Sequence, residues 1–195
     1  MSQKEGQLNR LVLCQAAKSQ LLIIDVQDRL CAAMPKDCLE LAFANISRLS
    51  QAARELDIPI IGTEQYPKGL GVTREAVTTD LPDSFEFCEK TSFSCCGASG
   101  FESHLADKAE RPQIILAGLE AHVCVLQTAA GLEHWGYDVY VVSDAVCSRS
   151  PQNRENALNR MRQGGIVVTN TESVVFEWMG NSDHPKFKTI SKLFR

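Results

Sequence analysis

Short β-branched apolar runs alternate along the chain with longer stretches whose apolar residues recur at helical spacing. Residues 21–26 read as a buried strand, and residues 37–56 as a helix with Asp37 and Glu40 placed as a capping pair. A second strand is predicted over residues 58–63, its Pro59 near the start, where a missing backbone donor is tolerated. Residues 85–90 read as a third strand and 101–109 as a helix. The alternation is clearest afterwards, with a strand over 113–118, a helix over 123–135 and a strand over 138–143. Ser150-Pro151 opens the next helix with a cap residue followed by proline in the first turn. Residues 166–169 form the sixth strand, and two short helices follow. Six apolar strands separated by helices predict an α/β fold of three layers, α/β/α, around a doubly wound, mostly parallel six-stranded sheet of Rossmann-like type. No repeat, low-complexity tract or linker divides the chain, so a single domain is expected over residues 20–195 after an N-terminal arm over 1–19.

In such a sheet, ligands bind beyond the carboxyl ends of the strands, near the point where strand order reverses. Sorting the polar residues by that rule selects three. Asp25 lies at the end of the first strand, Lys90 ends the third, and Cys124 follows the fourth where the next helix begins. A helix start and a nearby lysine both favour negative charge, so the Cys124 thiol is expected to ionise more easily than a free one. A carboxylate beside a thiol can take its proton and later activate water, and backbone N–H groups at the turn can hold an oxyanion. Each residue also has a plainer reading: a small buried thiol, a turn aspartate, a solvated lysine.

Composition narrows the classes. The chain has 195 residues, 44% of them hydrophobic, with 20 basic against 24 acidic side chains and a net charge of −4. That balance argues against nucleic acid as a partner. Eight cysteines are too few for a disulfide scaffold, and none stands in a Cys-x-x-Cys pair, so a structural zinc site is not expected. No secretory signal pattern and no apolar run long enough to span a membrane is present, which points to reduced thiols and a cytoplasmic location. Residues 1–19, with three basic side chains against one acidic, leave mitochondrial import open.

Beyond the three residues, Ile24-Asp25-Val26-Gln27, the stretch Thr63-Glu64-Gln65-Tyr66-Pro67-Lys68-Gly69-Leu70-Gly71, Lys90-Thr91-Ser92-Phe93-Ser94, and Gly118-Leu119-Glu120-Ala121-His122-Val123-Cys124 form an ordered set. Val142-Ser143-Asp144-Ala145, Ser148-Arg149-Ser150 and the run from Arg160 through Gln163 to Gly165 continue it. With these motifs the chain resembles the isochorismatase-like cysteine hydrolase superfamily, and most of all its eukaryotic isochorismatase-domain-containing members, from about Gln20 to the end. The resemblance implies a triad in which Asp25 is the proton acceptor, Lys90 its electrostatic support and Cys124 the nucleophile, forming a thioester from a small amide or related carbonyl compound. It also implies a cis peptide between Leu119 and Glu120, with the backbone N–H groups of Glu120 and Cys124 as the oxyanion hole. Nicotinamidases of the superfamily carry metal-binding histidines after the second strand. Here that stretch, Thr63-Glu64-Gln65-Tyr66-Pro67, has none, so no catalytic metal and no cofactor are expected. Homo-oligomerisation is implied as well.

Gln27, Gln65, Tyr66 and Phe93 fall on loops bordering the expected pocket and are candidates for contacting a small-molecule substrate, or equally for structural roles. His122 lies too near Cys124 in sequence to form a working dyad with it, and Cys95-Cys96 reads as incidental. Two other functional classes stay open: a binding or scaffold protein whose hydrolysis is vestigial, and an RNA-associated protein.

Overall fold

The computed structural model describes residues 12–82 and 84–195. Six strands, β1 (Ser19–Ile24), β2 (Ile60–Gln65), β3 (Cys88–Lys90), β4 (Gln113–Leu119), β5 (Asp138–Cys147) and β6 (Val167–Thr169), form one sheet in the order β3-β2-β1-β4-β5-β6. Every pairing is parallel. The helices are α1 (Asp28–Cys31), α2 (Lys36–Glu55), α3 (Pro67–Leu70), α4 (Glu75–Thr78), α5 (Leu126–His134), α6 (Pro151–Gln163), α7 (Thr171–Met179) and α8 (Phe187–Ile190).

Side chains alternate across the central strands, as a pleated strand requires. Leu21 and Ile23 of β1 join Ile115 and Ala117 of β4 against α2, α7 and α8. Leu22 and Ile24 join Ile114 and Leu116 on the other face, under α5 and α6. The four apolar β1 side chains are wholly buried, each contributing about 1.5–3 kcal/mol by leaving water. This is why the strand reads as a continuous apolar run rather than an alternating one.

The chain winds outward from β1 to β3, returns to place β4 beside β1, and then winds the other way to β6. The strand order therefore reverses between β1 and β4, and a crevice opens beyond their carboxyl ends. Gly118 keeps the two strands close there. It pairs with Ile24 at φ +116°, and a Cβ on it would lie 2.1 Å from the Ile24 carbonyl oxygen. Only glycine fits.

Several expectations are corrected in detail. Helix α2 begins at Lys36 behind Pro35 with no side-chain cap, so the Asp37–Glu40 pair does not form. The third strand keeps only its last three residues. The helix expected over 101–109 is a single 3₁₀ turn, Phe101–His104, because Phe101 alone in it is buried and Leu105 already turns extended. Strand β5 runs on past Ser143 to Cys147, with a register shift opposite Leu116 and Gly118. The cap at Ser150 forms as expected, its hydroxyl accepting from the Asn153 N–H. Residues 1–11 of the expected arm lie outside the described residues. Next to them, the backbone N–H of Cys14 donates to Glu177 Oε2 at 2.8 Å, and that of Gln15 to Gln113 Oε1 at 2.7 Å.

Candidate active site

Asp25 is the first residue beyond β1. It turns into the left-handed region at φ +51°, which aspartate tolerates better than most residues. Its backbone N–H still donates to the Thr63 carbonyl at 3.1 Å, so the turn is fixed to β2. The carboxylate is wholly buried and doubly held. Oδ1 accepts from Thr63 Oγ1 at 2.7 Å, and Oδ2 accepts from Lys90 Nζ at 2.6 Å.

Lys90 reaches Asp25 because β3 ends there, in register with Gln65 of β2. Its ammonium is also buried and donates further to Gln65 Oε1 at 2.8 Å and to the Ser92 and Phe93 carbonyls at 3.2 and 3.1 Å. The charge is thus matched by one carboxylate and solvated by protein oxygens, which a buried ion requires.

Cys124 sits between β4 and α5. The segment Ala121–Val125 is a π-helical turn, a form that recurs at functional sites. The Glu120 carbonyl accepts from the N–H groups of Val123 and Val125, at 3.0 and 3.2 Å, on either side of Cys124. The peptide between Leu119 and Glu120 is cis. Cys124 is 5% exposed, and the Asp25 carboxylate lies close enough to act on its thiol.

Its ionisation runs against the expectation from sequence. Burial pushes the thiol up to about 12, the Asp25 charge pushes the same way, and Lys90 offsets them only in part. The lysine's charge is already neutralised by the carboxylate at 2.6 Å. Cys124 therefore rests as a thiol beside a base and not as a standing thiolate. Cys95, whose sulfur lies 3.9 Å from Thr63 Oγ1, is likewise pushed up to about 12 by burial.

The four loop candidates divide. Gln27 is wholly buried, and its amide clamps backbone: Oε1 accepts from the Gln65 N–H at 2.7 Å, and Nε2 donates to the Gln65 and Gly71 carbonyls at 3.1 and 2.6 Å. Gln65 is buried too, between Lys90 Nζ and the Thr91 carbonyl. Both are framework around Asp25 and Lys90. Tyr66 and Phe93 instead stand 54% and 55% exposed on the adjoining loops. A cleft of about 540 Å³ is lined by Tyr66, Lys68, Lys90, Ser92 and Ala98 among others, and neither Phe93 nor Cys124 is in its lining.

Two side-chain roles escaped the sequence reading. Thr63 holds the second oxygen of Asp25, and no local signal marks it, since a strand threonine is ordinary. Glu120, 3% exposed, is forked by Arg149, with Nε 2.9 Å from Oε1 and Nη2 3.1 Å from Oε2. The ring nitrogens of His122 lie 3.1 Å from Ser148 Oγ and 3.4 Å from Asn153 Nδ2, facing that cluster. Among the described residues, no three His, Cys, Asp or Glu side chains converge as metal ligands. Glu64, in the stretch where nicotinamidases bind metal, directs Oε1 to the N–H and hydroxyl of Thr73 at 2.6 and 2.7 Å.

The sequence pattern described as the isochorismatase domain matches residues 19–173, a span that contains all three site residues and every strand. The chain belongs to the isochorismatase family. It is 42% identical over 147 residues to isochorismatase domain-containing protein 2 of Xenopus laevis, covering 75% of this chain and 70% of that one. Among solved structures, the MAR1 ribonuclease from Caenorhabditis elegans superposes with a TM-score of 0.86 at 38% identity, over 93% of this chain and 92% of that one. The Escherichia coli YcaC product, described as an octameric hydrolase of unknown specificity, shares the fold with a TM-score of 0.84 at 22% identity, over 95% of this chain and 91% of that one. Within this isochorismatase domain, Asp25 and Cys124 fall at the two carboxyl ends flanking the reversal of strand order, and Lys90 reaches Asp25 from β3.

Proposed function

We propose that the chain is a cysteine hydrolase acting on a small amide or related carbonyl compound, without a resident metal. The observation that carries this reading is the buried Cys124 thiol set beside an Asp25 carboxylate that Lys90 holds at 2.6 Å. A thiol pushed up to about 12 contributes almost no thiolate at neutral pH, so attack must coincide with proton transfer to a placed base.

In that mechanism the Cys124 sulfur bonds to the carbonyl carbon as Asp25 takes the thiol proton, and the carbonyl electron pair moves onto oxygen. The backbone N–H groups of Glu120 and Cys124 receive the oxyanion, a stabilisation of about 3–4 kcal/mol per donor in comparable sites. Collapse expels the amine, which leaves with the proton from Asp25, and a thioester remains on Cys124. Asp25 then takes a proton from water as its oxygen attacks the thioester carbonyl. The Cys124 sulfur departs, recovers that proton, and the acid is released. Lys90 keeps the carboxylate oriented through both halves, and Thr63 fixes its other oxygen. Tyr66, exposed at the cleft, and Phe93, exposed on the adjoining loop, are the candidates to meet substrate. Homo-oligomerisation belongs to the same reading and is measured by light scattering.

A broad amide and ester screen, repeated with Cys124→Ala, tests the proposal. Hydrolysis of any responsive compound should fall at least a thousandfold in the variant, and full retention rules out the covalent route. A second reading takes RNA as substrate, on the strength of the ribonuclease description carried by the Caenorhabditis elegans relative. It requires salt-sensitive RNA retention and cleavage by this chain, against a net charge of −4. A blank hydrolysis screen with one stoichiometric partner recovered by pull-down would favour a scaffold role.

A further inference from the structure

The turn that carries Cys124 is tied by an ion pair to a separate part of the chain. Strands β4 and β5 last pair at Leu119 and Cys147. Glu120 is the next residue after one strand, and Ser148 and Arg149 follow the other. Beyond the end of that ladder, the Arg149 guanidinium takes over the connection. Its Nε lies 2.9 Å from Glu120 Oε1 and 3.2 Å from Oε2, and its Nη2 lies 3.1 Å from Oε2. The glutamate side chain is 3% exposed and the arginine 59%. Among the described residues, Arg149 is the one lysine or arginine paired with Glu120, and His122 Nδ1 stands farther off, 3.7 Å from Oε2.

Arg149 grips from a fixed corner. It stands between the buried Ser148 and Ser150, whose hydroxyl caps α6 by accepting from the Asn153 N–H. One turn on, Arg154 ties α6 back to β5 by donating from Nε to the Val146 carbonyl at 3.0 Å. A forked pair of hydrogen bonds sets direction as well as distance, so the Glu120 side chain is held in one orientation. The backbone of the same residue frames Cys124. Its carbonyl accepts from the N–H groups of Val123 and Val125, and its N–H is one of the two donors assigned above to the oxyanion.

We propose that Arg149 is a positioning residue for the oxyanion site: through Glu120 it keeps the Glu120 N–H where the substrate's carbonyl oxygen becomes charged. The inference rests on the hydrolase reading above. Donors of this kind act from a preset position, and a displacement of about 1 Å can cost roughly a hundredfold in rate. Asp25, by contrast, is held by Thr63 and Lys90 without help from Arg149. Losing the fork should therefore slow reactions of Cys124 that build charge on a carbonyl oxygen, and spare those that do not.

Two reagents separate these reactions. Iodoacetamide alkylates Cys124 by displacement of iodide, and no oxyanion forms. With para-nitrophenyl acetate, the sulfur adds to the carbonyl carbon, the electron pair moves onto oxygen, and collapse expels para-nitrophenolate. Both rates are read on the full chain at pH 8 by mass spectrometry of the Cys124 peptide. In Arg149→Met, acylation should fall at least tenfold while alkylation stays within about twofold of the wild type. That variant strands the buried Glu120 charge, so Arg149→Met combined with Glu120→Gln is measured beside it. The double variant removes the stranded charge but not the need for the fork, and its acylation should stay low. Loss of both rates together, loss of neither, or acylation restored in the double variant would overturn the proposal. A wild type that takes no acyl group on Cys124 would fell the hydrolase reading and this inference with it, whereas wild-type acylation matched by Arg149→Met overturns the inference alone.

Discussion

Replacing Lys90 by methionine keeps an apolar stem of about the lysine's stem length and removes its charged, donating end. In the wild type the three N–H groups of that end are shared among four oxygens, at 2.6 Å to Asp25 Oδ2, 2.8 Å to Gln65 Oε1, and 3.2 and 3.1 Å to the Ser92 and Phe93 carbonyls. Neither member of the ion pair is exposed at all. Breaking such a pair strands the surviving charge in a low dielectric, at a cost of about 3–5 kcal/mol. Water can reach the Ser92–Phe93 loop and satisfy its carbonyls, so about 4 kcal/mol is the expected loss. That is roughly a thousandfold in the folding equilibrium. Urea unfolding followed by circular dichroism measures it, with an unchanged denaturant slope showing that the folded states are comparable. Adding Asp25→Asn removes the stranded carboxylate, so the double variant should regain at least half of the loss. A single variant within 1 kcal/mol of the wild type, or a double variant no better than the single, would refute the claim that this pair is desolvated and coupled.

Asp25→Asn alone should separate two properties of Cys124. Removing the negative charge that helps to raise the thiol should shift its alkylation profile to lower pH than the wild type's, while hydrolysis is lost with the base; a profile that stays put or moves up contradicts the assignment. Thr63→Val keeps the shape of the side chain but removes the 2.7 Å bond to Asp25 Oδ1, a loss of about 1.5–3 kcal/mol for a bond to a charged group, read by the same urea assay. Gly118→Ala forces a Cβ against the Ile24 carbonyl at φ +116°. A cost of about 3 kcal/mol is expected, lowering the melting temperature by roughly 6–12 °C for a domain of this size; an unchanged melt would mean the two strands can part freely.

Much of the sheet was legible because its central strands are buried on both faces. Residues such as Leu21–Ile24 and Ile114–Leu116 leave a continuous apolar run that no surface segment would carry. The extension of β5 was hidden by Ser143 and Asp144, polar residues that read as a strand end. Asp144 instead receives the N–H and hydroxyl of Thr171 at the start of α7. The candidate site residues Asp25, Lys90 and Cys124 could be selected by position because strand ends in this topology converge. What the chain did not disclose was the balance of forces on the thiol. The helix start and the lysine are visible locally, whereas desolvation and the Lys90–Asp25 pairing that cancels the lysine arise only on folding. The same applies to Gln27 and Gln65, whose amides are polar loop residues in sequence and buried clamps in space, and to Thr63, whose partner lies 38 positions away.

The most direct test of the covalent mechanism is rapid-quench mass spectrometry of the full chain with an activated amide or ester panel at pH 7. A thioester that forms and decays on Cys124 within turnover, absent from Cys124→Ala and slowed at least a hundredfold in Asp25→Asn, is the predicted result. Turnover with no acyl mass on Cys124, or with the label on another cysteine, would contradict it.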